Sequence, residues 1–230
     1  MAAAARQGDQ PAQGLALRKL AQVYMQLRRL DDADSDLRHA LDLYRQAGDT
    51  AGQAHTENSL SQLCDERDRP AEALDHAARA LDLYWAAGHA QGQGQALNSV
   101  GWYHARLGEP QRALDACQQA LTIFEELDDL YGQAATSDSL GYAHQQLGDQ
   151  TRAIACYRKA VDLSRDTGQL QYVSMALTHL GDAYRDSGEA DAARTAWHEA
   201  LRILDGMNHP SAEQVLSKLA ALDSHAAPNG

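Results

Sequence analysis

Residues 40 positions apart in this chain keep matching one another. Leu20, Leu60, Val100, Leu140 and Leu180 form one column, Ala33, Ala73, Ala113, Ala153 and Ala193 a second, and Ala40, Ala80, Ala120, Ala160 and Ala200 a third. A period of this size marks stacked units, each of which buries its apolar face only against its neighbours. Residues 94–133 show what one unit contains. Ala96, Leu97, Val100, Tyr103, His104 and Leu107 share a stripe at helical spacing, which predicts a first helix, A. Gly108 suits the left-handed residue that ends a helix, and Pro110 the first position of the next, where its missing N–H costs nothing. Ala113, Cys117, Ala120, Leu121 and Phe124 are the apolar stripe of a second helix, B, packed back on A.

Two further columns refine the unit. Ala21, Ser61, Gly101, Gly141 and Gly181 are small where two helices approach closely, and Gly48, Gly88 and Gly168 close helix B, with Asp128 and Asn208 in the glycine's place elsewhere. The runs Leu180-Gly181-x-x-Tyr184 and Ala153-x-x-x-Tyr157-x-x-Ala160, with Ala193-x-x-x-Trp197-x-x-Ala200, resemble the tetratricopeptide repeat. The resemblance spans residues 14 to 209. It implies an all-α, right-handed superhelical solenoid of antiparallel helix pairs. The unit exceeds the family's common ~34 residues and lacks the usual proline after helix B, so helix B is expected to run about one turn longer.

On this reading, five hairpins occupy about 11–48, 51–88, 91–128, 131–168 and 171–208, within 11–209. Residues 1–10 are expected to be the remnant of a preceding repeat, or disordered, because Gly8-Asp9 stands 40 positions before Gly48-Asp49. The chain is thus expected to be cut from a longer protein. Residues 210–222 are predicted to form a capping helix, with Val215, Leu216, Leu219 and Leu222 on one side, and 223–230 a disordered tail. No apolar run reaches membrane-spanning length and no secretory signal opens the chain, so a cytoplasmic location is expected. Cys64, Cys117 and Cys156 lack metal-ligand spacing and read as packing residues. A net charge of −12 argues against a nucleic-acid partner.

No glycine-rich phosphate loop, nucleophile motif or metal-binding histidine pair is present, so neither catalysis nor a cofactor nor a metal is expected. His104 and His144 read as half-buried packing histidines. The informative surface is the polar side of the A helices, which in the implied solenoid lines a concave groove. Its columns include Arg18, Asn58, Asn98, Asp138 and Thr178; Lys19, Ser59, Ser99, Ser139 and His179; and Gln22, Gln62, Trp102, Tyr142 and Asp182. Candidate ligand contacts are Asn58, Ser59, Gln62, Asn98, Ser99, Trp102, Arg106, Asp138, Ser139, Tyr142, Gln145 and Arg185. A primary amide both donates and accepts, so Asn58 and Asn98 can hold a peptide unit whatever its side chains. Their contexts resemble the asparagine ladder of peptide-binding tetratricopeptide proteins such as kinesin light chains. The same asparagines and serines also suit a plain solvated face. Trp102 and Tyr142 suggest a pocket for one apolar side chain, or packing across the superhelix. Groove carboxylates (Asp65, Glu66, Asp138, Asp182, Asp186) outnumber the bases, which favours a neutral or basic ligand.

The unit Gly48-Asp49-x-x-Gly52-Gln53-Ala54, and the ending from His209-Pro210 to Leu222, are similar to the C-terminal repeats of large actinobacterial transcriptional activators that carry a nucleotide-switch ATPase. Together these readings point to a non-enzymatic interaction or sensor module. It would recognise a protein or peptide segment, or other domains of its own chain. The alternatives are a small-molecule sensor and a homo-oligomerisation scaffold, a homodimer among them.

Overall fold

The computed structural model describes residues 9–226, with side chains through Asp223. The described residues form eleven helices and no strand. They fall into two compact units, Met1–Leu107 and Gly108–Gly230.

The first unit holds α1 (Gln10–Gln26), α2 (Leu30–Ala47), α3 (Thr50–Glu66), α4 (Pro70–Ala86) and α5 (Ala90–Arg106). Odd helices are A helices, and even ones are B helices. α1 and α2 pack as a hairpin, as do α3 and α4, and α1 lies beside α3 as α3 lies beside α5. The second unit holds α6 (Pro110–Glu126), α7 (Leu130–Gln146), α8 (Gln150–Asp166), α9 (Leu170–Asp186), α10 (Ala190–Gly206) and α11 (Ala212–Ala226). Here α7 pairs with α8 and α9 with α10, α7 lies beside α9, and α11 covers α10. In both units, residues forty apart therefore occupy neighbouring helices.

Local chemistry sets the helix ends. Asp9, Asp49, Asp129 and Asp149 each accept a hydrogen bond from a backbone N–H in the first turn of the helix they precede. Such caps stabilise by about 1 kcal/mol each. The turns run through left-handed residues, glycine at Gly48, Gly88, Gly108, Gly148, Gly168 and Gly188, but Arg28, Asp68, Asp128 and Asn208 at the other four. Helix B is not the longer of the pair: A and B are mostly 17 residues each. Both connections are two- or three-residue turns, so the unit's length is shared between the two helices.

Side-chain size is matched across the packed faces. An added Cβ at Gly52 would lie 2.2 Å from the Tyr44 ring, at Gly92 2.3 Å from Tyr84, and at Gly132 2.3 Å from Phe124. At the last such junction the sizes are exchanged: Ser164 stands where the ring would be, and Tyr172 where the glycine would be. Tyr172 instead packs edge-on against Tyr131, with ring centroids 5.0 Å apart.

Two expectations for the termini change. Asp9 caps α1 and Gln10 opens it, so the last two residues of the predicted 1–10 segment belong to the first hairpin; residues 1–8 lie outside the described residues. The predicted tail from 223 is helical to Ala226, because no helix breaker occurs before Pro228; residues 227–230 lie outside the described residues. Among the described residues, no helix is long and apolar enough to cross a membrane.

Candidate functional site on the A-helix face

In the first unit, Arg18 (α1), Asn58 (α3) and Asn98 (α5) stand in one column on adjacent A helices, and all three are half-buried. Two of them hold orphaned atoms. Arg18 Nε and Asn58 Oδ1 are buried without a hydrogen-bond partner in the protein. A buried polar atom left unpaired costs roughly 1–3 kcal/mol, and here a donor and an acceptor stand one repeat apart. Gln62 is exposed, and Ser99 is half-buried beside Asn98. Trp102 is half-buried against the cluster of Cys64, Ala73, Ala77 and Tyr103.

In the second unit, Asp138 occupies the same column on α7 but is engaged. His179 Nδ1 lies 2.9 and 3.0 Å from its two carboxylate oxygens. Burial pushes the His179 imidazole down, but the Asp138 charge and hydrogen bond, with Asp182 behind them, outweigh it and raise its pKa. Tyr142 is half-buried against its own unit's core. Trp102 and Tyr142 thus each rest on the core of a different unit, which accounts for two large aromatics on a polar face.

Several other predicted contacts are already committed. The Ser59 hydroxyl donates to His55 O at 3.0 Å and Ser139 to Ala135 O at 3.2 Å, each one turn back on its own helix. Gln145 donates to Asp186 at 2.7 Å and accepts from the Tyr157 hydroxyl at 3.0 Å. Arg185 pairs with Asp186 at 2.7 Å and with Asp182 at 3.7 Å. Arg106 pairs with Asp65 and Asp68, and Arg28 with Glu66. Lys218 closes on both oxygens of Asp182 at 2.6 Å. All five groove carboxylates therefore have internal partners, which removes the charge argument for a basic ligand. The pairs Asp65–Arg106, Asp138–His179 and Gln145–Asp186 are each 41 positions apart, so they were readable as one repeat plus one residue.

A buried carboxylate lies in the first unit. Glu57 is held by His76 Nδ1 at 2.7 Å and Arg79 Nε at 3.3 Å, with Arg45 at 3.7 Å. Burial pushes its pKa up, but hydrogen bonding to His76 and the Arg79 charge pull it below the ordinary value. Its column holds Leu97, Ser137 and Leu177 elsewhere, so the period hides it. The cysteines sit in packing positions, where burial pushes the Cys117 thiol up to about 12 and raises Cys64 and Cys156 as well. Among the described residues, no three metal-ligating side chains cluster.

Family comparison matches residues 13–84 and 92–166, and separately 173–204, to the tetratricopeptide repeat. The chain belongs to the tetratricopeptide repeat family. No curated protein matches it. Among solved structures, a Rap protein complexed with Competence and Sporulation Factor superposes with a TM-score of 0.78 at 17% identity, over 88% of this chain and 56% of that one. A Signal Transduction ATPase with Numerous Domains (STAND) protein with a tetratricopeptide repeat sensor, from Pyrococcus horikoshii, gives 0.71 at 19% identity, over 95% of this chain and 34% of that one. A putative kinesin light chain from Podosopora anserina gives 0.66 at 13%, over 87% of this chain and 98% of that one. At such identities the likeness establishes the fold. This tetratricopeptide chain spans about half of the Rap protein and a third of the STAND protein.

Proposed function

We propose that this tetratricopeptide chain recognises a protein or peptide segment along its A-helix face, by binding and without catalysis, as the regulatory repeat segment of a larger cytoplasmic transcriptional regulator. The observation that carries this reading is the orphaned pair in the first unit, Arg18 Nε and Asn58 Oδ1. Both residues are part-exposed, so the A-helix face is open beside the two atoms. A peptide backbone offers a carbonyl for the Arg18 Nε–H and an N–H for Asn58 Oδ1. The desolvation that these atoms cost the free protein is then recovered on binding, and Asn98 extends the row. The regulatory context is supported by the resemblance to activator repeats and by the likeness to the STAND sensor segment.

The test is selection of displayed random peptides against the wild type and against an Arg18→Ala/Asn58→Ala double variant. Enrichment of peptides that bind the wild type and lose at least about tenfold in affinity on the double variant, the scale of two hydrogen bonds, is the expected result. Selected peptides that bind both proteins equally would refute it.

A further inference from the structure

A groove of about 490 Å³ lies between the B helices α8 and α10, with α9 beneath it. That volume is within the roughly 300–1,000 Å³ of small-molecule sites. Val161, Leu177, Leu180 and Ala196 line the groove and belong to the unit's apolar core. Two arginines of α8 stand over this floor. Arg165 is neutralised by Glu199 of α10 at 2.6 Å and by Asp162 at 3.6 Å. Arg158 is not. Its Nε donates to the hydroxyl of the buried Tyr184 at 2.8 Å, and among the described residues no carboxylate pairs with it.

The first unit builds the same groove between α2 and α4 over α3, with Arg38, Leu41 and Leu60 three repeats before Arg158, Val161 and Leu180. There the protein supplies its own carboxylates. Arg38 pairs with Asp34 at 2.8 Å, and the Glu57 carboxylate lies in the floor between His76 and Arg79. In the second unit Ile154 stands in the column of Asp34, Leu177 in that of Glu57 and Ala196 in that of His76. The arginine is retained while each acid beside it has become apolar.

This pairing of features selects the ligand. Tyr184 holds the Arg158 guanidinium by Nε and leaves its two terminal nitrogens, a planar fork that matches a carboxylate. The floor side chains offer no hydrogen-bonding group, so they accept only an apolar body. An anion without that body leaves the floor wet, and an apolar molecule without the anion leaves Arg158 unpaired.

We propose that the α8–α10 groove binds a small monocarboxylic acid with an apolar body, its carboxylate on Arg158 and its body along Val161, Leu177 and Leu180. The walls are B helices, so this site operates apart from recognition on the A-helix face.

The test titrates octanoate and phenylbutyrate into the full chain, with octanol and acetate as comparators that lack the charge and the body. Amide resonances report where each binds. Saturable shifts in α8 and α10 with at least one of the two acids, about tenfold weaker binding in Arg158→Gln, and unchanged binding in Arg38→Gln are the expected result; tenfold is the scale of one charge-assisted hydrogen bond. Ile154→Asp, which gives Arg158 the partner that Arg38 has, should weaken the acid similarly. Arg158 is exposed, so its substitution leaves the fold intact. Failure of both acids to saturate by millimolar concentration, octanol or acetate binding as tightly as the acid, shifts confined to other helices, or equal affinity in Arg158→Gln overturns the assignment.

Discussion

Replacing Asn58 with alanine should stabilise the free protein while weakening its ligand complex. Asn58 Oδ1 is buried and unpartnered, a condition that costs about 1–3 kcal/mol. Alanine removes that cost and adds about 0.6 kcal/mol of helix propensity inside α3. Lost packing of a half-buried side chain offsets part of this gain, leaving a net stabilisation of about 1 kcal/mol. For a chain of this size, that is a midpoint about 2–4 °C higher. Ser61→Ala is the comparator, because Ser61 lies on the same helix, is fully buried, and donates to Ala73 O at 2.9 Å. Its loss should cost about 1 kcal/mol, so two polar-to-alanine changes three residues apart should move stability in opposite directions. Thermal unfolding followed by far-ultraviolet circular dichroism measures both. If Asn58→Ala lowers the midpoint as much as Ser61→Ala does, Oδ1 is satisfied in the free protein and the reasoning fails.

Three other consequences follow from the packing and the charges. Gly92→Ala would drive a Cβ to 2.3 Å from the fully buried Tyr84 ring; overpacking of about 1–3 kcal/mol should outweigh alanine's helix propensity, and a denaturant midpoint no lower than wild type would contradict the close junction. Glu57 has a lowered pKa, so its contribution is present above the ordinary carboxylate value and is lost as pH falls through the lower folded value. Urea titrations across that acid range should show a loss of stability that Glu57→Leu flattens. His179 has a raised pKa, so its pairing with Asp138 is fully stabilising below the unfolded value of about 6.5 and is lost as pH rises through the folded one. The thermal midpoint should fall over that interval in the wild type but not in His179→Gln.

How much of this was legible beforehand depends on whether an interaction obeys the period. The column of Leu20, Leu60, Leu140 and Leu180 announces the A helices and that of Ala33, Ala73, Ala113, Ala153 and Ala193 the B helices, because packing repeats with the unit. The exchange of Ser164 and Tyr172 was legible in the same way, as one column turning small where its partner turns large. The interrepeat pairs were half legible: the notation of columns separates Asp138 from His179, although a spacing of 41 joins them. Glu57 was hidden because its column is otherwise leucine or serine, and its partners His76 and Arg79 lie on another helix. The unpaired state of Arg18 Nε and Asn58 Oδ1 was not legible at all. It depends on which rotamer each neighbour adopts, and spacing says nothing about rotamers.

On the proposed reading, the A-helix face holds a donor and an acceptor, Arg18 Nε–H and Asn58 Oδ1, that a peptide backbone would pair. Nitrogen-resolved magnetic resonance of the Arg18 Nε–H and of the backbone amides flanking Asn58, recorded while a selected peptide is added, tests it most directly. Peptide engagement at this pair should give a downfield shift and slowed exchange at Arg18 Nε–H, with saturable changes around Asn58 at the same peptide concentration. Saturable peptide binding that leaves both signals where they stand in the free protein would contradict it.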